Sequence, residues 1–107
     1  MAYPTDVQVA EAKLKNGGAE LHQLSYSDGA VIAKRPSKVD WERLQTEVAE
    51  PARRLVALSN FTLSCVIWPD PPALDGLFAD RPALLARLAE ALSNLAGASE
   101  EVRVKKL

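Results

Sequence analysis

Histidine and cysteine are almost missing from this chain. One histidine, His22, and one cysteine, Cys65, stand among 107 residues, so no intramolecular disulfide can form and no Cys/His zinc site can be assembled. An excess of either charge is missing too. Thirteen basic against fourteen acidic side chains leave a formal charge of -1, which supplies no global field to draw in nucleic acid or anionic lipid. Long apolar runs are absent as well: the longest, Phe61 to Trp68, is broken by Thr62 and Ser64 and falls far short of the roughly 20 residues of a spanning helix. The first residues, Met1-Ala2-Tyr3-Pro4-Thr5-Asp6, lack the basic and apolar regions of a secretory signal. That reads as a cytoplasmic protein, in which the Asn60-Phe61-Thr62 sequon meets no glycosylation machinery.

What is present is the composition of one globular domain covering residues 1–107, with 48% hydrophobic and 25% charged residues. A chain this long buries roughly two-thirds of its unfolded surface, enough for a core without metal or disulfide staples.

Thr5-Asp6, then Val7, Ala10 and Leu14 and a Gly17-Gly18 stop, reads as a short capped helix with a weak apolar stripe. Val7, Val9 and Leu14 also fit a strand, but helix is the preferred reading. Two β-prone runs, Ala19 to Tyr26 and Ala30 to Arg35, flank Ser27-Asp28-Gly29, a strong hairpin signal. A two-residue Asp28-Gly29 loop sets Ser27 against Ala30, Tyr26 against Val31 and Leu24 against Ala33, with Ser25 beside Ile32 on the other face. A lone hairpin is marginal in water, so later helices must cover its apolar face.

Pro36 ends the second strand, and Ser37 with Asp40 forms a capping box for a helix whose buried stripe is Trp41, Leu44 and Val48. Glu50-Pro51 stops it, and Pro51 fits the first turn of the next helix. From Arg53 to Trp68 two patterns compete: Leu55, Leu58, Thr62 and Cys65 step as a helix, while Phe61, Leu63, Cys65 and Ile67 alternate as a strand. Length favours helix through at least Ser64. Asp70 then caps a short helix carrying Leu74, Leu77 and Phe78, Asp80 caps a last one carrying Leu85, Leu88, Leu92 and Leu95, and Gly97 stops it. The tail, Glu100 to Leu107, alternates apolar and charged residues and suits either a strand or a free end. The expected fold is α+β: an N-terminal β-hairpin, preceded by the short helix, and a small bundle of three to four helices.

No arrangement here asks to be catalytic. A Ser-His-Asp triad would have to pass through His22, which reads as an ordinary strand residue. Cys65 sits among Leu63, Val66 and Ile67 and reads as a small buried hydrophobe whose thiol pKa is raised and whose reactivity is low. The pairs Glu47 with Glu50 and Glu100 with Glu101 lie in charged, solvated contexts. Gly17-Gly18 lacks the lysine and helix start of a phosphate loop. Neither catalytic, metal-binding nor cofactor-binding residues are expected. Lys34, Arg35, Lys38, Arg53 and Arg54 could line a basic side, with Tyr26 or Trp41 near enough to stack bases, but Glu42, Glu47 and Glu50 interleave them, making nucleic acid an unfavoured partner. The feature in surplus is leucine on the last two helices, more apolar stripe than one hairpin can cover, which suits a protein partner or a homo-oligomer.

From Arg35 onward the order of features resembles a family of small phage and prophage tail assembly chaperones. The resemblance is carried by Arg35-Pro36-Ser37 leading into Trp41-Glu42-Arg43-Leu44, by Cys65-Val66-Ile67-Trp68-Pro69, by Leu74 to Phe78, by Arg81-Pro82-Ala83-Leu84, and by Leu95-Ala96-Gly97 before a charged tail. It covers about the last 70 residues and departs at Ser64, where the pattern often carries an acid, and at the polar Ser59-Asn60. The resemblance implies a non-catalytic protein in the host-cell cytoplasm that shields a long helical tape-measure protein or recruits tail-tube subunits. The partner surface expected on this reading includes Leu77, Phe78, Leu84, Leu88 and Leu92. The alternative is a small nucleic-acid-binding or regulatory protein using the five basic residues named above.

Overall fold

The computed structural model describes residues 3–17 and 20–107. Gly18 of the expected helix stop and Ala19 of the expected strand start lie outside the described residues.

The first helix, α1 (Asp6–Lys15), forms where the cap chemistry places it. Thr5 Oγ1 accepts a hydrogen bond from the Gln8 amide (3.2 Å), and the Gln8 side chain accepts one from the Thr5 amide (2.8 Å), a reciprocal capping box. Its buried face is not the expected one. Val7 and Leu14 are 67% and 82% exposed and Ala12 is the residue that is buried. α1 lies beside Ile67 and Trp68, with which Gln8, Ala12 and Asn16 wall a small cavity of about 160 Å³. A small side chain at the contact permits close approach, and the Val7/Ala10/Leu14 stripe is left to solvent.

The hairpin consists of β1 (Leu21–Tyr26) and β2 (Gly29–Lys34), antiparallel. Its loop is Ser27-Asp28 rather than Asp28-Gly29, so Tyr26 pairs with Gly29, Leu24 with Val31 and Ser25 with Ala30. This differs from the expected register by two residues, a shift that leaves every side chain on its predicted face. Gly29 has no positive φ, so the left-handed turn that makes Asp-Gly a hairpin signal is not formed. A third short strand, β3 (Val66–Trp68), adds antiparallel to the other side of β2, giving the order β1-β2-β3 with an irregularity between Ile32 and Ala33.

Central position buries β2 on both faces. Val31 and Ala33 join the main core, while Ala30 and Ile32 on the opposite face are also buried. Four helices cover the first face. α2 (Lys38–Val48) begins with the expected Ser37/Asp40 capping box and turns Leu44 inward, with Trp41 and Val48 packed beside it. A 3-10 turn at Pro51–Arg53 leads into α3 (Arg54–Cys65), and Phe61 of α3 meets Trp41 edge to face at 6.2 Å. The two competing patterns in this stretch are both realised in succession, helix through Cys65 and strand from Val66. The helical stripe is rotated from expectation, however. Ala57, Phe61, Thr62 and Cys65 are buried, while Leu55 is 74% exposed.

α4 (Pro71–Asp80) is capped by Asp70, whose carboxylate accepts from the Ala73 amide at 3.2 Å. α5 (Pro82–Leu95) follows after a single residue, Arg81. Asp80 ends α4 instead of capping α5, because Pro82 takes the first helical position and Arg81 occupies the cap without a side-chain bond. α5 ends in a Schellman motif: Gly97, at φ 104°, donates to the Asn94 carbonyl and Ala98 donates to the Ser93 carbonyl. The architecture is α+β, as expected. Among the described residues no helix is long and apolar enough to cross a membrane.

Candidate functional site

The α4–α5 corner is tied to the hairpin tip. The Arg81 guanidinium forms a two-pronged ion pair with Asp28 in the hairpin loop, and it also lies over the Tyr26 ring at 5.8 Å from the centroid. Each partner registers the others. Arg81 holds the Asp28 carboxyl below its ordinary value, chiefly by hydrogen bonding, and the same bond raises Arg81. Tyr26 is raised, first by burial and then by Asp28, with Arg81 opposing.

Two apolar grooves flank this junction. The first, about 570 Å³, is lined by Tyr3, Tyr26, Trp68, Pro69, Ala73 and Leu77. Both tyrosines and one of the two tryptophans of the chain meet there. α4 supplies one wall because Asp70 and the two prolines after it fix where the helix starts, which puts Ala73 and Leu77 one turn apart on the same side. The second groove, also about 570 Å³, runs between β1 and α5, with Leu24, Leu84, Leu88 and Ala91 in its walls and Arg87 at its rim.

The five residues expected to form one partner surface are divided between this surface and the core. Leu77 lines the first groove and Leu84 the second. Phe78 is half-buried against the core. Leu88 and Leu92, expected at that surface, are instead core residues, 3% and 0% exposed. α5 gives its Leu88/Ala89/Leu92 face to the core it shares with β2 and α3. Leu88 contributes only its edge to a groove wall.

Trp68, Tyr3 and Arg81 were not expected at a site. The available signal was Arg-Pro after an acidic helix end, a junction residue held away from helical conformation by the following proline. Asp28 lies 53 residues away from it, and no local pattern couples the two.

The other sequence candidates do not converge. His22 on β1 has its Nε2 buried without a hydrogen-bond partner, 3.5 Å from a Glu20 carboxylate oxygen. Cys65 is fully buried, and burial pushes its thiol up to about 11. Among the described residues no group of three or more His, Cys, Asp or Glu side chains is placed to hold a metal. Of the basic set, Arg35 donates from Nε to the Leu95 carbonyl at 2.8 Å and Lys38 pairs with Glu42 at 3.6 Å, while Arg53 and Arg54 sit apart at the start of α3.

Comparison with known proteins adds a fold and a family. A search of curated proteins finds no match. The chain resembles the solved structure of an uncharacterised protein from Bacillus stearothermophilus, with a TM-score of 0.72 and 24% identity over 91% of this chain and 99% of that one. At that identity the likeness is one of fold alone. Residues 20–105, everything from β1 to the tail, match the model of a domain of unknown function, and the chain therefore belongs to the DUF6848 family.

Proposed function

We propose that this protein is a non-catalytic binding module of the tail assembly chaperone type, which engages a tape-measure protein or tail-tube subunit in the host-cell cytoplasm. The observation that carries the reading is the aromatic groove between α4 and the hairpin tip. An apolar slot walled by Tyr3, Tyr26, Trp68 and Leu77 suits one or two large apolar side chains projecting from a helix at i and i+3 or i+4. Rigid aromatic anchors in such a slot carry a large share of binding energy. The resemblance in residues 35–107 supplies the class of partner, a long amphipathic helix or a tube subunit. Leu77 stays in the binding surface, with Leu84 at its neighbour. Leu88 and Leu92 act only by holding α5 in place.

Ala73→Glu tests the reading. Position 73 is exposed, lines the groove and is the third residue of α4, where a glutamate suits the helix start. Wild-type protein should bind a tape-measure fragment or tube subunit in titration calorimetry, and the variant should bind at least about 10-fold more weakly, roughly 1.4 kcal/mol, with an unchanged melting curve. Binding that survives Ala73→Glu removes the groove from the site. Absence of binding to both partner classes by wild-type protein overturns the function.

A further inference from the structure

The second groove and the C-terminal tail fit each other, but across two molecules. We infer that residues 100–107 add as a fourth strand to the open edge of β1 in a second copy of this chain, antiparallel to it.

The tail has the pattern of an edge strand and no use for it within its own molecule. Val102 and Val104 alternate with Glu101, Arg103 and Lys105, yet the two valines are 84% and 95% exposed. The Cα radius of gyration, 15.1 Å, exceeds the ~13 Å expected for a compact chain of this length. β1 presents the complementary half. It is the end strand of the sheet. Tyr26 and Gly29 flank a two-residue loop and so form a hydrogen-bonded pair, which by alternation turns the N–H and C=O groups of Ser25 and Gln23 to the open side. Beyond that edge lies the β1–α5 groove, where an added strand would lay every second side chain between Leu24 and the α5 residues Leu84 and Ala91. An edge strand beside a helix groove is the geometry of β-augmentation.

Charge selects the direction. Arg81 against Asp28 puts the start of α5 at the hairpin tip, and Arg35 against the Leu95 carbonyl puts its end at the hairpin base. With Val102 opposite Leu24 in an antiparallel strand, Glu100 and Glu101 lie over Tyr26 and Ser25 beside Arg87, and Lys105 and Lys106 lie over Leu21 and Glu20. The Arg87 and Glu20 side chains are 78% and 67% exposed, and their present partners, Glu90 at 3.6 Å and His22 at 3.5 Å, are weak solvent-screened contacts that a tail strand can replace. The parallel direction would set Glu101 near Glu20 and Lys105 near Arg87, like against like.

The same geometry excludes the tail's own β1. An antiparallel strand must start at the hairpin tip, whereas the tail leaves α5 at the base, the length of β1 away, ~20 Å. Residues 96–100 are folded into the Schellman cap and a further turn closed by Glu100 donating to the Gly97 carbonyl, so they cannot cross that span. A second copy has no such constraint, and reciprocal exchange closes a symmetric dimer.

Sedimentation velocity of the full chain against concentration tests this, with amide exchange as a second reading. A dimer is expected, with concentration-dependent protection of the Gln23 and Ser25 amides. The double substitution Val102→Asp with Val104→Asp should give a monomer with an unchanged melt, because the tail valines are exposed in the single chain. Arg87→Glu should weaken the dimer about 10-fold, and Glu101→Arg added to it should restore most of that. A monomer at all concentrations overturns the inference, as does a dimer indifferent to the valine changes or one that the charge swap fails to restore. Ala73→Glu leaves this interface untouched, so failure here and failure of the α4-groove reading are separately visible.

Discussion

The ring of Tyr26 occupies the space that a side chain at Gly29 would fill. A Cβ built on Gly29 would stand 2.5 Å from the Tyr26 Oη, 2.7 Å from Cζ and 2.9 Å from Cε2, well inside contact distance. The ring cannot simply swing clear, since it packs on the core and lies under Arg81. Gly29→Ala should therefore destabilise the fold by about 1–3 kcal/mol, the range of overpacking substitutions. In a Tyr26→Leu background the same change should be close to neutral. Thermal or urea melts of the four proteins of this cycle measure the coupling directly.

The Asp28–Arg81 pair makes a second, electrostatic claim on the same corner. Its carboxyl is held below the 3.8 of an unperturbed aspartate mainly by the hydrogen bond from Arg81. A depressed carboxyl contributes stability above its unfolded value and loses it as pH falls through the folded one. Acid titration below about pH 4 should release the hairpin tip from Arg81. Asp28→Asn should flatten that part of the stability curve. Both partners are solvent-accessible, so the effect should be small and should fade at high salt. An acid limb unchanged by Asp28→Asn would show that the pair does no holding.

How much of this was legible depends on how local each signal is. The Thr5 and Ser37 caps, the Asp70 cap and the Gly97 stop involve residues three or four apart, and each is found where the sequence puts it. The hairpin was legible but its loop was not. Asp-Gly favours one turn, and the Tyr26–Gly29 contact together with the Asp28–Arg81 pair, a relation across 53 residues, holds another. α1 was legible as a helix but not by face. Its stripe is weak, and the packing of Ala12 near Ile67 outweighs it. The leucine stripe of α5 was legible as a face needing cover. What covers it is a property of the whole fold, so Leu88 and Leu92 read as candidates for a partner when β2 and α3 already claim them.

That division of the leucines predicts different penalties for the same substitution. Leu92→Ala opens a cavity at a residue with no exposed surface and should cost about 2–5 kcal/mol. Leu77→Ala, at a groove wall, should cost about 1 kcal/mol and act on partner binding instead. Equal losses of stability would mean that Leu77 is core as well.

Thr62 is fully buried in α3, and its Oγ1 has no hydrogen-bond partner in the protein. A buried hydroxyl without a partner carries a desolvation penalty of about 1–3 kcal/mol that valine avoids at nearly the same shape. Thr62→Val should raise stability by about 1 kcal/mol, read as a higher urea midpoint at unchanged slope. A loss of stability would show that the hydroxyl is satisfied.

Cys65 gives the last prediction its sign. Burial, with a smaller push from Asp40 and a small opposing pull from Lys34, raises its thiol from 9.0 to about 11 in the folded chain. Between those values the unfolded chain releases a proton that the folded chain keeps, so stability falls as pH rises from about 9 to 11. Below pH 9 the contribution is complete. Cys65→Ala should therefore remove part of the alkaline decline while lowering stability at neutral pH through the cavity it leaves. The same burial should keep the thiol unreactive toward a disulfide reagent at pH 8 until the chain unfolds, so the labelling rate should follow urea concentration as the melt does. Rapid labelling of the native protein would place Cys65 at a surface and remove the basis for both expectations.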